Sequence, residues 1–151
     1  MDTAPETYAR LCEHPNIAGI KEAAPSVSKV IKTRQLCGEA LPIWSGNDDL
    51  TLPLLAVGTQ GVISVLSNLV PERMCALYDA WMIGDTEGAA EQQIELYPLM
   101  SAMFCEVNPV PIKYAMSLLG LCREDVRLPL CTAEPTTREK LHALLAQSNL
   151  I

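Results

Sequence analysis

The first half of the chain alternates short apolar runs with amphipathic stretches. Short apolar runs of this kind predict β-strands, and the third run is the most β-branched of the three. These runs lie at residues 16–21, 41–45 and 61–67. The amphipathic stretches predict helices at residues 3–14, 27–37 and 49–57. Strands separated by helices of this length indicate parallel βαβ units with right-handed crossovers.

Several residue types at the element ends support these boundaries. Thr3 and Ser26 can cap the first two helices, and Asp48 and Asp49 can cap the third. Gly38 suits the end of the second helix, where glycine accepts a left-handed conformation.

From Val70 onward the pattern is helical, and the sequence predicts no strand there. Asn108-Pro109 is a strong start signal, since a capping side chain precedes a proline at the first helical position. The predicted helices lie at residues 71–82, 86–105, 109–119 and 136–150. Three parallel strands leave two open edges, and a closed barrel takes about 250 residues. We therefore expect another chain to complete the sheet, or this chain to be part of a longer protein.

Composition excludes several classes of function. The net charge of −7 argues against nucleic-acid binding and against docking on an anionic membrane. With 49% hydrophobic and 19% charged residues the chain is predicted to be globular. The start of the chain is polar, and its six cysteines form no CxxC pair. We expect no secretory signal, buried reduced thiols and a cytoplasmic location.

Lys21 is the main candidate for chemistry. It follows Ile17-Ala18-Gly19-Ile20, so it lies at the carboxyl end of a strand that is otherwise apolar. Such strand ends form the active-site mouth of a barrel. We expect a lysine there to be partly desolvated, so that more of it is the free amine that attacks a ketone and forms an imine. A lysine that simply reaches solvent explains the spacing equally well.

Other candidates are weaker. Asp48-Asp49 could pass for a metal pair, but capping is the more natural interpretation. Trp44 is predicted to pack in the core, with a pocket wall as the alternative because it adjoins a strand end. We predict no metal, and the sequence holds no glycine-rich phosphate loop and indicates no cofactor.

Five ordered motifs resemble the dihydrodipicolinate synthase family, now named 4-hydroxy-tetrahydrodipicolinate synthases. Gly19-Ile20-Lys21-Glu22-Ala23 is similar to the strand that carries the imine lysine in that family. Ser45-Gly46-Asn47-Asp48 is similar to the next strand end, which is usually Ser-Gly-Asp-Asp. The other motifs lie at residues 61–68, 106–113 and 127–130, and the match stays in register from about Pro5 onward.

The resemblance implies a fold and an activity. Residues 1–84 would be the C-terminal part of a (β/α)8 TIM barrel, with three βα units, and residues 85–151 a C-terminal helical domain. The family condenses pyruvate with L-aspartate 4-semialdehyde in the diaminopimelate route to lysine, usually as a homotetramer. Lys21 would form the Schiff base with pyruvate, and Gly46 and Ile63 match positions that line the pyruvate pocket. N-acetylneuraminate lyases share the fold and the imine lysine, but Glu22-Ala23 after the lysine resembles the synthases.

The resemblance also implies that part of the site is missing. In relatives a threonine pair, a proton-relaying tyrosine and a carboxylate-binding arginine would lie before Met1. Proton transfer without acid–base partners loses a factor of about 10² to 10⁴. We expect the chain alone to be inactive or nearly so. The alternative is a non-catalytic module that uses its helical tail and open sheet edge to self-associate or to pair with an N-terminal half-barrel.

Overall fold

The sheet has three short parallel strands in the order β1-β2-β3. A computed structural model of the chain describes residues 2–151, so Met1, the first residue of the predicted barrel part, lies outside the described residues. The strands are β1 (Ile20–Glu22), β2 (Ile43–Ser45) and β3 (Gly61–Val62). The predicted α/β class and the parallel arrangement are confirmed.

Helices precede, connect and follow the strands. Helix α1 (Pro5–Leu11) precedes β1, α2 (Val27–Cys37) connects β1 to β2, and α3 (Thr51–Leu55) connects β2 to β3. The second half of the chain contains α4 (Pro71–Met82), α5 (Thr86–Ala102), α6 (Val110–Leu118) and α7 (Pro135–Gln147). The all-helical second half is confirmed, and α4 has the predicted bounds.

Only some of the predicted caps form. The Ser26 hydroxyl accepts a hydrogen bond from the Lys29 N–H at 3.2 Å, and Gly38 ends α2 with φ of 56°. The cap predicted at Thr3 is wrong, because α1 begins one residue later than expected, after Ala4. The cap predicted at Asn108 is also wrong, since Pro109 occupies the capping position of α6.

All three strands are shorter than predicted, and β2 begins at Ile43 instead of residue 41. The first backbone bond from β1 to β2 is donated by Ile20 to Pro42, so residues 16–19 precede the sheet. After β3 the chain turns into a short 3-10 helix (Leu66–Asn68) instead of continuing as a strand to residue 67.

The core lies among the helices and on one face of the sheet. Buried residues of α4, α5, α6 and α7 contribute to the larger cluster, which includes Leu77, Leu96 and Leu141. A second cluster joins Ile43 of β2 to Val30 of α2 and Leu54 of α3. Helices therefore cover one face of the sheet.

The cysteines are less buried than predicted. All six are free thiols, and Cys37 is buried. The prediction of burial is wrong for Cys75, Cys105 and Cys131, which are exposed. Within residues 2–151 no helix combines the length and the apolar character that a membrane span requires.

Candidate active site

The predicted site residues lie on one face of the sheet. Lys21 pairs in register with Trp44, and Trp44 with Gly61. Gly46 and Ile63 come directly after β2 and β3, and their N–H groups continue the ladder by donating to Glu22 and Ser45. Because alternate residues share a face, they lie on the same side as Trp44 and Gly61, two positions earlier. Lys21, Gly46 and Ile63 therefore share this face, towards the carboxyl ends of the parallel strands. We call it the inner face.

The two faces of the sheet differ in burial. On the opposite face Ile43 and Ser45 are fully buried. On the inner face Lys21 is exposed and Ile63 keeps 48% of its surface accessible. The expected desolvation of Lys21 is wrong for the described chain, because α2 and α3 pack on the other side of the sheet. The predicted position on the sheet is right, but the predicted environment is not.

Gly46 provides the space that the Lys21 side chain occupies. A Cβ atom at position 46 would lie 2.9 Å from Lys21 Cε and 2.7 Å from Ala23 Cβ. The end of the lysine is flexible and can shift, but Ala23 lies too close to a Cβ atom at position 46, so a side chain there requires Ala23 to move. The stem therefore runs over Gly46, past the end of β2.

A buried ionic cluster holds the end of β1 on the side opposite Lys21. The Glu22 carboxylate, which is 5% exposed, pairs with Lys29 Nζ at 2.8 Å. It also accepts hydrogen bonds from the Tyr8 hydroxyl at 3.2 Å and from the Ala24 N–H at 2.8 Å. Burial acts to lower the pKa of Lys29, but its bonds to Asp2 and Glu22 outweigh that effect and raise it. Sequence reasoning missed this cluster, although Glu22 adjoins Lys21 in the same motif.

Asp48 joins the ends of β2 and β3. Its side chain is 1% exposed, and Oδ2 accepts hydrogen bonds from the N–H groups of Val65 at 3.0 Å and Leu66 at 3.1 Å. The prediction that Asp48 caps the following helix is therefore wrong, because its carboxylate caps a turn 17 residues away. Asp49 is exposed. In the described part of the chain, no three His, Cys, Asp or Glu side chains are grouped to hold a metal ion.

These features define the class of protein. Three parallel strands covered by helices on one face fit part of an α/β barrel, and a lysine stands at the strand ends on its inner side. The model of the dihydrodipicolinate synthetase family matches residues 1–148, and the chain belongs to that family.

Curated relatives and solved structures agree with this assignment. The chain is 45% identical over all 151 residues to 4-hydroxy-tetrahydrodipicolinate synthase of Thermodesulfovibrio yellowstonii, and covers 52% of that protein. It aligns with dihydrodipicolinate synthase of Thermotoga maritima at a TM-score of 0.93 and 42% identity, over 97% of this chain and 51% of the other. A pyruvate complex of the Acinetobacter baumannii enzyme aligns at 0.94 and 31% identity, over 99% and 52%. The chain thus spans about half the length of the relatives it matches.

Proposed function

We propose that this chain is the C-terminal half of a 4-hydroxy-tetrahydrodipicolinate synthase, in which Lys21 forms a Schiff base with pyruvate. The observation that carries the proposal is the position of Lys21 beside Gly46 and Ile63 on the inner face of the sheet. The similar Acinetobacter baumannii protein, solved in complex with pyruvate, supports it. We include in the proposal the division at residue 84 into barrel and helical parts, a homo-oligomer and a cytoplasmic location.

The chemistry follows from the amine. Lys21 Nζ attacks the ketone carbon of pyruvate, and loss of water gives an iminium ion. The iminium ion makes the neighbouring methyl group more acidic. Loss of a proton from that carbon converts the iminium ion to a nucleophilic enamine. The enamine attacks the aldehyde carbon of L-aspartate 4-semialdehyde, forming a carbon–carbon bond. The amino group of the semialdehyde then attacks the imine carbon, which closes the ring of the product and displaces the Lys21 amine.

The exposed inner face limits what the chain does alone. Proton transfers need positioned acids and bases, which contribute a factor of about 10² to 10⁴. An exposed amine also lacks the dry surroundings that strengthen electrostatic effects in an active site. We therefore propose that turnover requires a first half-barrel to cover Lys21.

Trapping the imine tests the proposal. The chain is incubated with pyruvate and borohydride, and peptide mass spectrometry locates the reduced adduct. We expect it on Lys21, retained in Lys32→Arg, which changes another exposed lysine, and lost in Lys21→Arg. The trapping is repeated in the presence of an N-terminal half-barrel of a relative. An absence of adduct on Lys21 under both conditions contradicts the proposal.

A non-catalytic assembly module is the second candidate, and the open edge of the sheet favours it. A groove of about 330 Å³ lies beside β3, lined by residues that include Trp44, Gly61 and Tyr78. Within the described chain β3 pairs only with β2, so its other edge has free backbone groups. Co-expression with an N-terminal half-barrel separates the two candidates. A stable complex that forms no adduct at Lys21 supports the module, whereas adduct and turnover support the enzyme.

A further inference from the structure

The indole of Trp44 extends across the inner face next to Lys21. A Cβ atom at Gly19 would lie 2.5 Å from Trp44 Cζ3, and one at Gly61 would lie 3.7 Å from Trp44 Cδ1. One end of the ring therefore contacts the segment that leads into β1, and the other contacts the start of β3. At Gly19 the absence of a side chain gives the ring the room that it needs.

Along the surface of the sheet, this placement leaves the lysine one open direction. Gly19 lies two residues before Lys21 on the same face, so the ring occupies the space towards the amino ends of the strands. Gly46 leaves space towards the carboxyl ends, and the Lys21 stem runs there, as its close approach to Gly46 shows. Trp44 lies on β2 and Gly46 directly after it, two positions further on; one residue is bulky and the other has no side chain.

We propose that Trp44 is a positioning residue that directs the Lys21 amine towards the carboxyl ends of the strands. The lysine stem has four flexible carbons, and without the ring it can bend into the space between Gly19 and Gly61. Misplacement of a reacting group by 1 Å can cost a factor of about 10² in rate. The consequence for catalysis rests on the proposed function, but the direction of the side chain does not.

Nuclear magnetic resonance of the full chain tests the direction of Lys21 without pyruvate. We expect contacts between the ε protons of Lys21 and the α protons of Gly46 in the wild type and in Trp44→Phe. Trp44→Ala should lose them and gain contacts from Lys21 to Gly19 or Gly61. Trp81→Phe, on α4, is the matched control and should leave the Lys21–Gly46 contacts in place. Contacts from Lys21 to Gly46 that persist in Trp44→Ala overturn the proposal.

The second measurement is the rate of borohydride trapping with pyruvate, taken per folded molecule. We expect Trp44→Ala to lower it by about tenfold or more, within the range that misplacement produces, and Trp44→Phe to stay close to the wild type. If Trp44→Ala does not fold, Trp44→Leu replaces it in both measurements, because leucine is too short to span both glycines. An unchanged rate in the variant overturns the proposal. A wild type that forms no adduct, either alone or with an N-terminal half-barrel, refutes the proposed function instead, and the resonance measurement then decides the role of Trp44.

Discussion

Replacing Asp48 tests whether one buried carboxylate holds the ends of β2 and β3 together. Asp48→Ala leaves the N–H groups of Val65 and Leu66 without their acceptor, 3.0 and 3.1 Å away in the structure. Both donors lie in the turn that follows β3 and Ile63, so the change also loosens one wall of the inner face. Asp48→Asn keeps one oxygen that can accept the same bonds.

The expected loss of stability is a difference of two contributions. A hydrogen bond to a charged group stabilises a fold by about 1.5–3 kcal/mol, so two of them contribute about 3–6 kcal/mol. Burying the carboxylate costs part of this, since Asp48 Oδ1 has no hydrogen-bond partner among the described residues. We expect Asp48→Ala to lower the free energy of unfolding by about 2–4 kcal/mol, a large share of the 5–15 kcal/mol typical of a domain. Asp48→Asn should cost about 1 kcal/mol, roughly the difference between charged and neutral bonds.

Urea unfolding followed by circular dichroism measures these losses. The slopes of the transitions must agree between variants, so that the midpoints report stability alone. Asp49→Ala is the control, because Asp49 adjoins Asp48 and is exposed. It should change stability by no more than about 0.5 kcal/mol. The reasoning fails if Asp48→Ala costs less than about 1 kcal/mol, below the range given for losing a buried hydrogen-bond partner, or no more than the control.

Two further predictions concern ionisable groups. Burial and the neighbouring Cys12 raise the pKa of Cys37 from 9.0 to about 11, so over that range the folded chain keeps a proton that the unfolded chain has lost. Stability should therefore fall as the pH rises from about 9 to about 11, and urea unfolding should show a smaller fall in Cys37→Ala; an equal fall would contradict this assignment. Lys29→Met leaves the Glu22 carboxylate buried without its cation and should cost about 3–5 kcal/mol, whereas adding Glu22→Gln should restore part of the loss in a double-mutant cycle. If Lys29→Met is as stable as the wild type, the ion pair of Lys29 and Glu22 contributes nothing to stability.

The sequence predicted the helices better than the strands. Local signals were enough for α4, where Pro71 opens the helix, and for α2, where Ser26 caps and Gly38 ends it. The predicted end of the third strand is wrong because the strand ends at a turn held by Asp48. Asp48 is distant in sequence, and residue propensities carry no information about such a contact. The cap predicted at Asn108 is wrong because the helix starts one residue later than the capping pattern indicates.

The candidate site was predicted in position but not in environment. Period-two alternation was enough to put Lys21 and Ile20 on opposite sides of β1. The hydration of Lys21 depends on which elements cover the inner face, and this is a property of the tertiary structure. The network of Glu22, Lys29 and Tyr8 joins α1, β1 and α2, so it becomes visible only when these elements pack together.

The uncovered inner face makes chemical reactivity and assembly compete for the same surface. Whatever protein surface settles on Trp44 and Ile63 also decides whether a small molecule reaches the Lys21 amine. A partner that closes over the face around a bound keto acid would gain affinity from that ligand, and the ligand would gain the same affinity from the partner. A partner that fills the face would lower the affinity for the ligand, and the ligand would lower the affinity for that partner by the same factor. Labelling of the Lys21 amine therefore reports whether a partner fills this face.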